Sequence, residues 1–149
     1  MVTQLFEVAI AVKDLDAAIK KYSDVLGVQA IPIGAAYFPV AGLRGVVFPM
    51  GNNMLISLIA SEQLDTPVAK FVESNGEGIF LIGLEVTDIE QDMRELSEKG
   101  VRFVSDKPLP YAAGRINFAH PKSMHGVQIA FAEHEPGYYE NFIRKSSAV

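Results

Sequence analysis

The 149-residue sequence has no cysteine, no tryptophan and only three histidines, His120, His125 and His134. Without cysteine there are no disulfides, thiolate zinc sites, iron–sulfur ligation or cysteine nucleophile. Thirteen basic against 18 acidic residues give a net charge of −5, with no basic run or stripe. Nucleic acid is therefore not an expected partner. No apolar run is long enough to span a membrane, so none is expected. The first four residues (MVTQ) do not open a charged and then apolar leader, so no signal peptide is read and a cytoplasmic location is expected.

Apolar residues make up 49% of the chain and charged residues 21%, the balance of a folded globule. A chain of this length buries roughly 68–70% of its unfolded surface and folds without staples.

An internal repeat organises the sequence. Residues 7–12 (EVAIAV), 13–22 (KDLDAAIKKY) and 26–28 (LGV) return as 81–86 (LIGLEV), 87–96 (TDIEQDMREL) and 99–101 (KGV). A short apolar strand leads each copy and a helix with an acidic N-terminus follows. Asp14 is the cap candidate in the first copy, and Thr87 with Glu90 has capping-box spacing in the second. Positions 15, 18, 19 and 22, and 89, 93 and 96, share one helical face. Gly27 and Gly100 end the helices.

Residues 45–48 and 54–59 read as a hairpin around 49–53 (PMGNN). In the second copy, 101–104 starts a strand, and 116–119 with 127–131 form a hairpin around 120–126 (HPKSMHG). Each half is then β-α-β-β-β, the short strand of the first half falling near 28–33. The predicted modules cover about 5–59 and 79–132, with a linking helix at 61–74 and a tail at 133–149. The predicted fold class is α+β, one domain in which two βαβββ modules pair their apolar faces around a small-molecule cleft.

The stretches 8–19 (VAIAVKDLDAAI), Tyr22 with Leu26 and Gly27, 76–78 (GEG), 120–123 (HPKS) and 125–127 (HGV) resemble the vicinal oxygen chelate superfamily, which holds glyoxalase I and bleomycin-resistance proteins. The look is nearest to its methylmalonyl-CoA epimerases. The resemblance runs over residues 5–132 and implies the fold far more specifically than the reaction. It also implies a homodimer, and four metal ligands, usually His, Glu or Gln, His and Glu. The matching positions here are Glu7, Ser57, Leu81 and Ala130. A carboxylate, a hydroxyl, an isobutyl and a methyl group make no divalent-cation site, so no metal and no cofactor are expected. No acid stands in 37–41 (YFPVA), where the resemblance places a catalytic carboxylate.

Two readings of Glu7 stand side by side. It is either a solvated residue near a strand start or, by alternation with Ala9 and Ala11, a cleft carboxylate with a raised pKa. The second makes Glu7 the candidate catalytic acid/base. Ser57, Leu81 and Ala130 become candidate ligand-binding positions, with Gln128 on the face of Ala130. Arg115 or Asn117 is a candidate from the neighbouring strand, and Tyr37 with Phe38 a candidate lid. His120 and Lys122 are candidates at the cleft mouth, where the resemblance implies passage of an acyl-CoA tail. Nothing in the spacing brings a histidine beside Glu7. Tyr138, Tyr139 and Phe142 in the tail are read as docking on the sheet or on a second subunit. The expected function is metal-independent binding, or isomerase- or lyase-like turnover, of a small carbonyl or acyl-CoA-like ligand. The alternative is a metal-dependent epimerase-like or glyoxalase-like enzyme with a rebuilt metal site.

Overall fold

Residues 2–11 (VTQLFEVAIA), rich in β-branched and other apolar side chains, form the first strand of a computed structural model that describes residues 1–147. The first half comprises β1 (Val2–Ala11), α1 (Leu15–Leu26), β2 (Ile31–Ile33), β3 (Leu43–Pro49) and β4 (Leu55–Ser61). After α2 (Pro67–Asn75), the second half comprises β5 (Gly78–Val86), α3 (Ile89–Glu98), β6 (Leu109–Tyr111), β7 (Gly114–Ala119) and β8 (Ile129–His134). The tail forms α4 (Tyr138–Ser147), and its last two positions, 148 and 149, lie outside the described residues.

Local chemistry sets most boundaries. Asp14 caps α1 by accepting from the Ala17 N–H at 3.0 Å, and Gly27 ends it at φ 64°. The cap of α3 is Asp88, which accepts from the Gln91 N–H at 3.1 Å, rather than the expected Thr87. Asp88 stands where the repeat places Asp14. The linking helix begins at Pro67, not at 61, because the residue before a proline is kept out of the helical region. Thr66 serves as its cap, accepting from the Ala69 N–H.

The expected strand at 101–104 is absent apart from one bridge, Phe103 to Ala119. The buried Asn117 amide donates to the Ser105 carbonyl at 2.8 Å, and its oxygen accepts from the Ser105 N–H. Backbone bonds from His120 N–H to the Arg102 carbonyl and from Val104 N–H to the Phe118 carbonyl flank that bridge, the Asn117 side chain takes over at Ser105, and the outer strand forms later, at β6.

The halves turn their apolar faces toward one cleft, as predicted, through a curled sheet rather than two separate ones. They join edge to edge through the antiparallel pair β1–β5, giving one sheet in the order β2-β3-β4-β1-β5-β8-β7-β6. Each half has the same internal order, with a parallel pair, β1–β4 or β5–β8, beside the join. The sheet curls until its ends meet, where the Ala112 N–H donates to the Ala36 carbonyl at 2.9 Å. Edge joining satisfies the β1 and β5 backbones, which face stacking would leave unpaired.

The helices α1 and α3 cover the convex side. Leu15 of α1 packs with Val46, Phe48 and Leu58, and Ile89 and Met93 of α3 pack with Ile129 and Phe131. Burying Phe48, Leu58 and Ile89 completely contributes about 1.5–3 kcal/mol each. No helix among the described residues is long and apolar enough to cross a membrane.

Candidate functional site

The concave side holds a cavity of about 300 Å³ whose walls come from all eight strands, α2 and α4. Strand alternation aims Glu7, Leu81 and Ala130 into it. A register shift between Leu5 and Glu7 bulges β1, so the consecutive residues Phe6 and Glu7 both reach the cleft. Gly83, opposite Glu7, makes this possible. A Cβ there would lie 2.7 Å from the Phe6 ring.

Glu7 is partly buried and accepts a hydrogen bond from the Ser57 hydroxyl. Ser57 is itself fully buried beneath the cleft floor. Burial pushes the Glu7 carboxyl above the usual glutamate range, and the Ser57 hydrogen bond opposes that rise in part.

A second polar cluster stands at the same end. His134 closes β8 with its side chain only 3% exposed. Its Nδ1 lies 2.9 Å from Glu85 Oε2 and its Nε2 lies 2.5 Å from the Tyr111 hydroxyl. Burial pushes the imidazole pKa down, against the pull of Glu85, so the ring is neutral near pH 7. The carboxylate accepts from Nδ1–H, which leaves Nε2 to accept from the Tyr111 O–H. The Phe6 edge meets the His134 ring at 4.5 Å, and the Tyr138 ring stacks on it at 3.7 Å. Burial, reinforced by the nearby carboxylates Glu7 and Glu85, pushes both Tyr111 and Tyr138 well above the ordinary phenol value.

Of the residues singled out from sequence, Glu7, Leu81, Ala130, Gln128, Tyr37 and Phe38 line the cavity, and Ser57 supports Glu7 from below. Tyr37 meets Phe142 of α4 edge-on at 5.1 Å, so the tail closes the cleft on that side. Tyr138 and Phe142 are wall residues, whereas the Tyr139 hydroxyl accepts from the Gly51 N–H.

Arg115 is not among the walls. It lies in a separate groove, paired with Glu90 at 2.7 Å and Glu133 at 2.9 Å. Its strand parity, left open by the sequence, turns it outward. Asn117 is likewise buried on the other side. His120 accepts from the Lys122 N–H at 3.1 Å and shapes its own loop, with Lys122 exposed. Neither touches the cavity wall, because the loop lies beyond the end of β7.

The structure also corrects the separation of the histidines from Glu7, since His134 and Glu7 line one cavity. Alternation from Ala130 through Ala132 carried that signal. The same parity from Leu81 through Gly83 points to Glu85.

The donor set does not fit a divalent cation at the four positions that the resemblance assigns. Leu81 and Ala130 offer no donor, and the Ser57 proton is spent on Glu7. Among the described residues no three His, Asp or Glu side chains gather as metal ligands.

Residues 6–119 match the family model described as the Glyoxalase/Bleomycin resistance protein/Dioxygenase superfamily. The chain is 37% identical over 133 residues to the ethylmalonyl-CoA/methylmalonyl-CoA epimerase of Cereibacter sphaeroides, covering 87% of this chain and 96% of that protein. The crystal structure of methylmalonyl-CoA epimerase from Mycobacterium tuberculosis superposes with a TM-score of 0.79 at 36% identity, covering 91% of this chain and 90% of that one. A methylmalonyl-CoA epimerase in complex with methylmalonyl-CoA and NH4+ gives 0.80 at 27% identity, covering 91% and 97%. The family model over most of the chain and the identity to these relatives agree: this chain belongs to the glyoxalase/bleomycin resistance/dioxygenase superfamily.

Proposed function

We propose that the cleft binds a small, neutral organic carbonyl compound, a ketone or acyl thioester, without a metal, and that Glu7 moves a proton to and from it as in an isomerase. The observation that carries this reading is a Ser57-anchored carboxylate in a largely apolar, aromatic cavity. In such surroundings water competes little for the carboxylate, and a base whose pKa is drawn toward neutrality suits proton transfer near pH 7. The relatives named above include epimerases of methylmalonyl-CoA, whose acyl group bears a carboxylate. Among the described residues lining this cavity there is no lysine or arginine to pair with that charge. A neutral acyl group suits the walls better, since burying an unpaired anion is costly. Leu81, Ile59 and Val68 pack together at the apolar end and suit the body of the ligand.

The test is solvent deuterium exchange next to the carbonyl in a panel of neutral thioesters and ketones, on protein stripped with chelator. Exchange by the stripped protein that falls at least tenfold in Glu7→Gln supports the proposal. Exchange that appears only after a divalent metal is restored overturns it.

A further inference from the structure

Removing a proton beside a carbonyl leaves an electron pair on the carbonyl oxygen, and something must hold it. The side chains around the cleft differ in what they have left to give. The Ser57 proton is committed to Glu7 and the Tyr111 proton to His134. Tyr138 differs. Its hydroxyl is the one buried side-chain polar atom among the described residues with no hydrogen-bond partner. Tyr138 lines the same cavity as Glu7. Its ring is held face to face on His134 at 3.7 Å, and His134 is itself pinned by Glu85 and Tyr111. A buried hydroxyl without a partner is costly unless a ligand completes it.

We propose that the Tyr138 hydroxyl is a catalytic hydrogen-bond donor that polarises the carbonyl oxygen of the ligand and holds the oxyanion formed when Glu7 takes the adjacent proton. The inference rests on the reading of Glu7 as the base. The step balances within the cleft. The C–H bond breaks, an O–H bond forms on Glu7, the C–H pair becomes a C=C bond, and the C=O π pair moves to the oxygen facing Tyr138. Return of the proton to carbon restores the ketone or thioester and the Glu7 carboxylate. No oxidant or reductant is needed. Burial and the two nearby carboxylates keep Tyr138 a phenol, so its proton is available to donate throughout the neutral range. Position 138 lies in the tail, beyond the repeat, so neither half of the duplicated scaffold supplies this donor by itself.

The probe is acetophenone labelled with carbon-13 at the carbonyl, a neutral aromatic ketone small enough for the cavity. Difference infrared spectra should show its carbonyl stretch moved to lower frequency on the wild-type protein. In Tyr138→Phe the shift should vanish while the probe still binds, and exchange of its methyl protons with deuterated solvent should slow at least tenfold. Fluorotyrosine at 138, a stronger donor of nearly the same shape, should deepen the shift, and it decides the question if Tyr138→Phe does not fold. An unshifted carbonyl on the wild-type protein, or the same frequency and exchange rate in Tyr138→Phe, overturns the assignment of Tyr138 and leaves Glu7 untouched. No probe bound by the wild-type protein, or exchange unaffected by Glu7→Gln, overturns the underlying reading of the cleft and this assignment with it.

Discussion

The two halves of the molecule share one strand order and furnish the cleft in different ways. In the first half the polar pair is Glu7 on β1 and Ser57 on β4. Their repeat equivalents on β5 and β8 are Leu81 and Ala130, both apolar. The polar pair of the second half, Glu85 and His134, lies four residues further along its strands, where the first half has Ala11 and Ser61. Four residues of strand span about 13 Å. Because β1 and β5 run antiparallel with Glu7 opposite Gly83, Glu85 lies beyond Gly83 on the side away from Leu81. Both polar groups gather at one end, and Leu81, Ile59 and Val68 leave the other end apolar. A symmetric scaffold thus holds an asymmetric site through a shift of the polar pair along its strands, on the same face.

The largest test of this contrast is His134→Ala. The side chain is packed between Phe6, Tyr111 and Tyr138, and its removal leaves a void beside the unpaired Glu85 carboxylate. A loss of about 2–5 kcal/mol is expected in urea unfolding. Gly83→Ala should come next, at about 1–3 kcal/mol, because its Cβ meets the Phe6 ring 2.7 Å away and disturbs both halves at once.

Glu7→Gln should act in the opposite direction. Burial favours the protonated carboxyl in the folded state, so the folded pKa stands above the unfolded one. Wild-type stability from this group is present below the ordinary glutamate value and is lost as pH rises through the folded pKa. Glutamine retains an acceptor for Ser57 and has no charge to bury. The variant should therefore be more stable than wild type at pH 8 and gain little at pH 4, as paired unfolding curves would show. The smallest effect is expected from Arg115→Ala. Its ion pairs sit at the surface, so the cost should be about 1 kcal/mol or less, with ligand affinity unchanged in a thermal-shift titration.

The duplicated βαβββ order was legible in sequence because strand and helix periods recur at a fixed offset. The helix caps at Asp14 and Asp88 follow that same offset. Glu7, Leu81 and Ala130 were legible as cleft residues from the positions that the resemblance assigns, and alternation from Ala130 added Gln128. Edge joining was not, since β1 and β5 carry apolar residues compatible with either arrangement. Tyr111 and Tyr138 were also hidden. The first reaches the site only because the sheet curls, and the second because α4 folds back over β2, and neither leaves a local pattern. Arg115 was open in sequence because parity in a short strand depends on where pairing starts, here with Gly114 opposite His134.

The proposed function needs Glu7 to be a carboxyl held in a largely apolar cleft by the protein alone, without a metal to keep it ionised. Carbon-13 NMR of the Glu7 carboxyl, titrated with chelator present, tests it directly. The midpoint should lie above the usual glutamate range, with a fold that remains intact throughout. A midpoint at or below that range would contradict it.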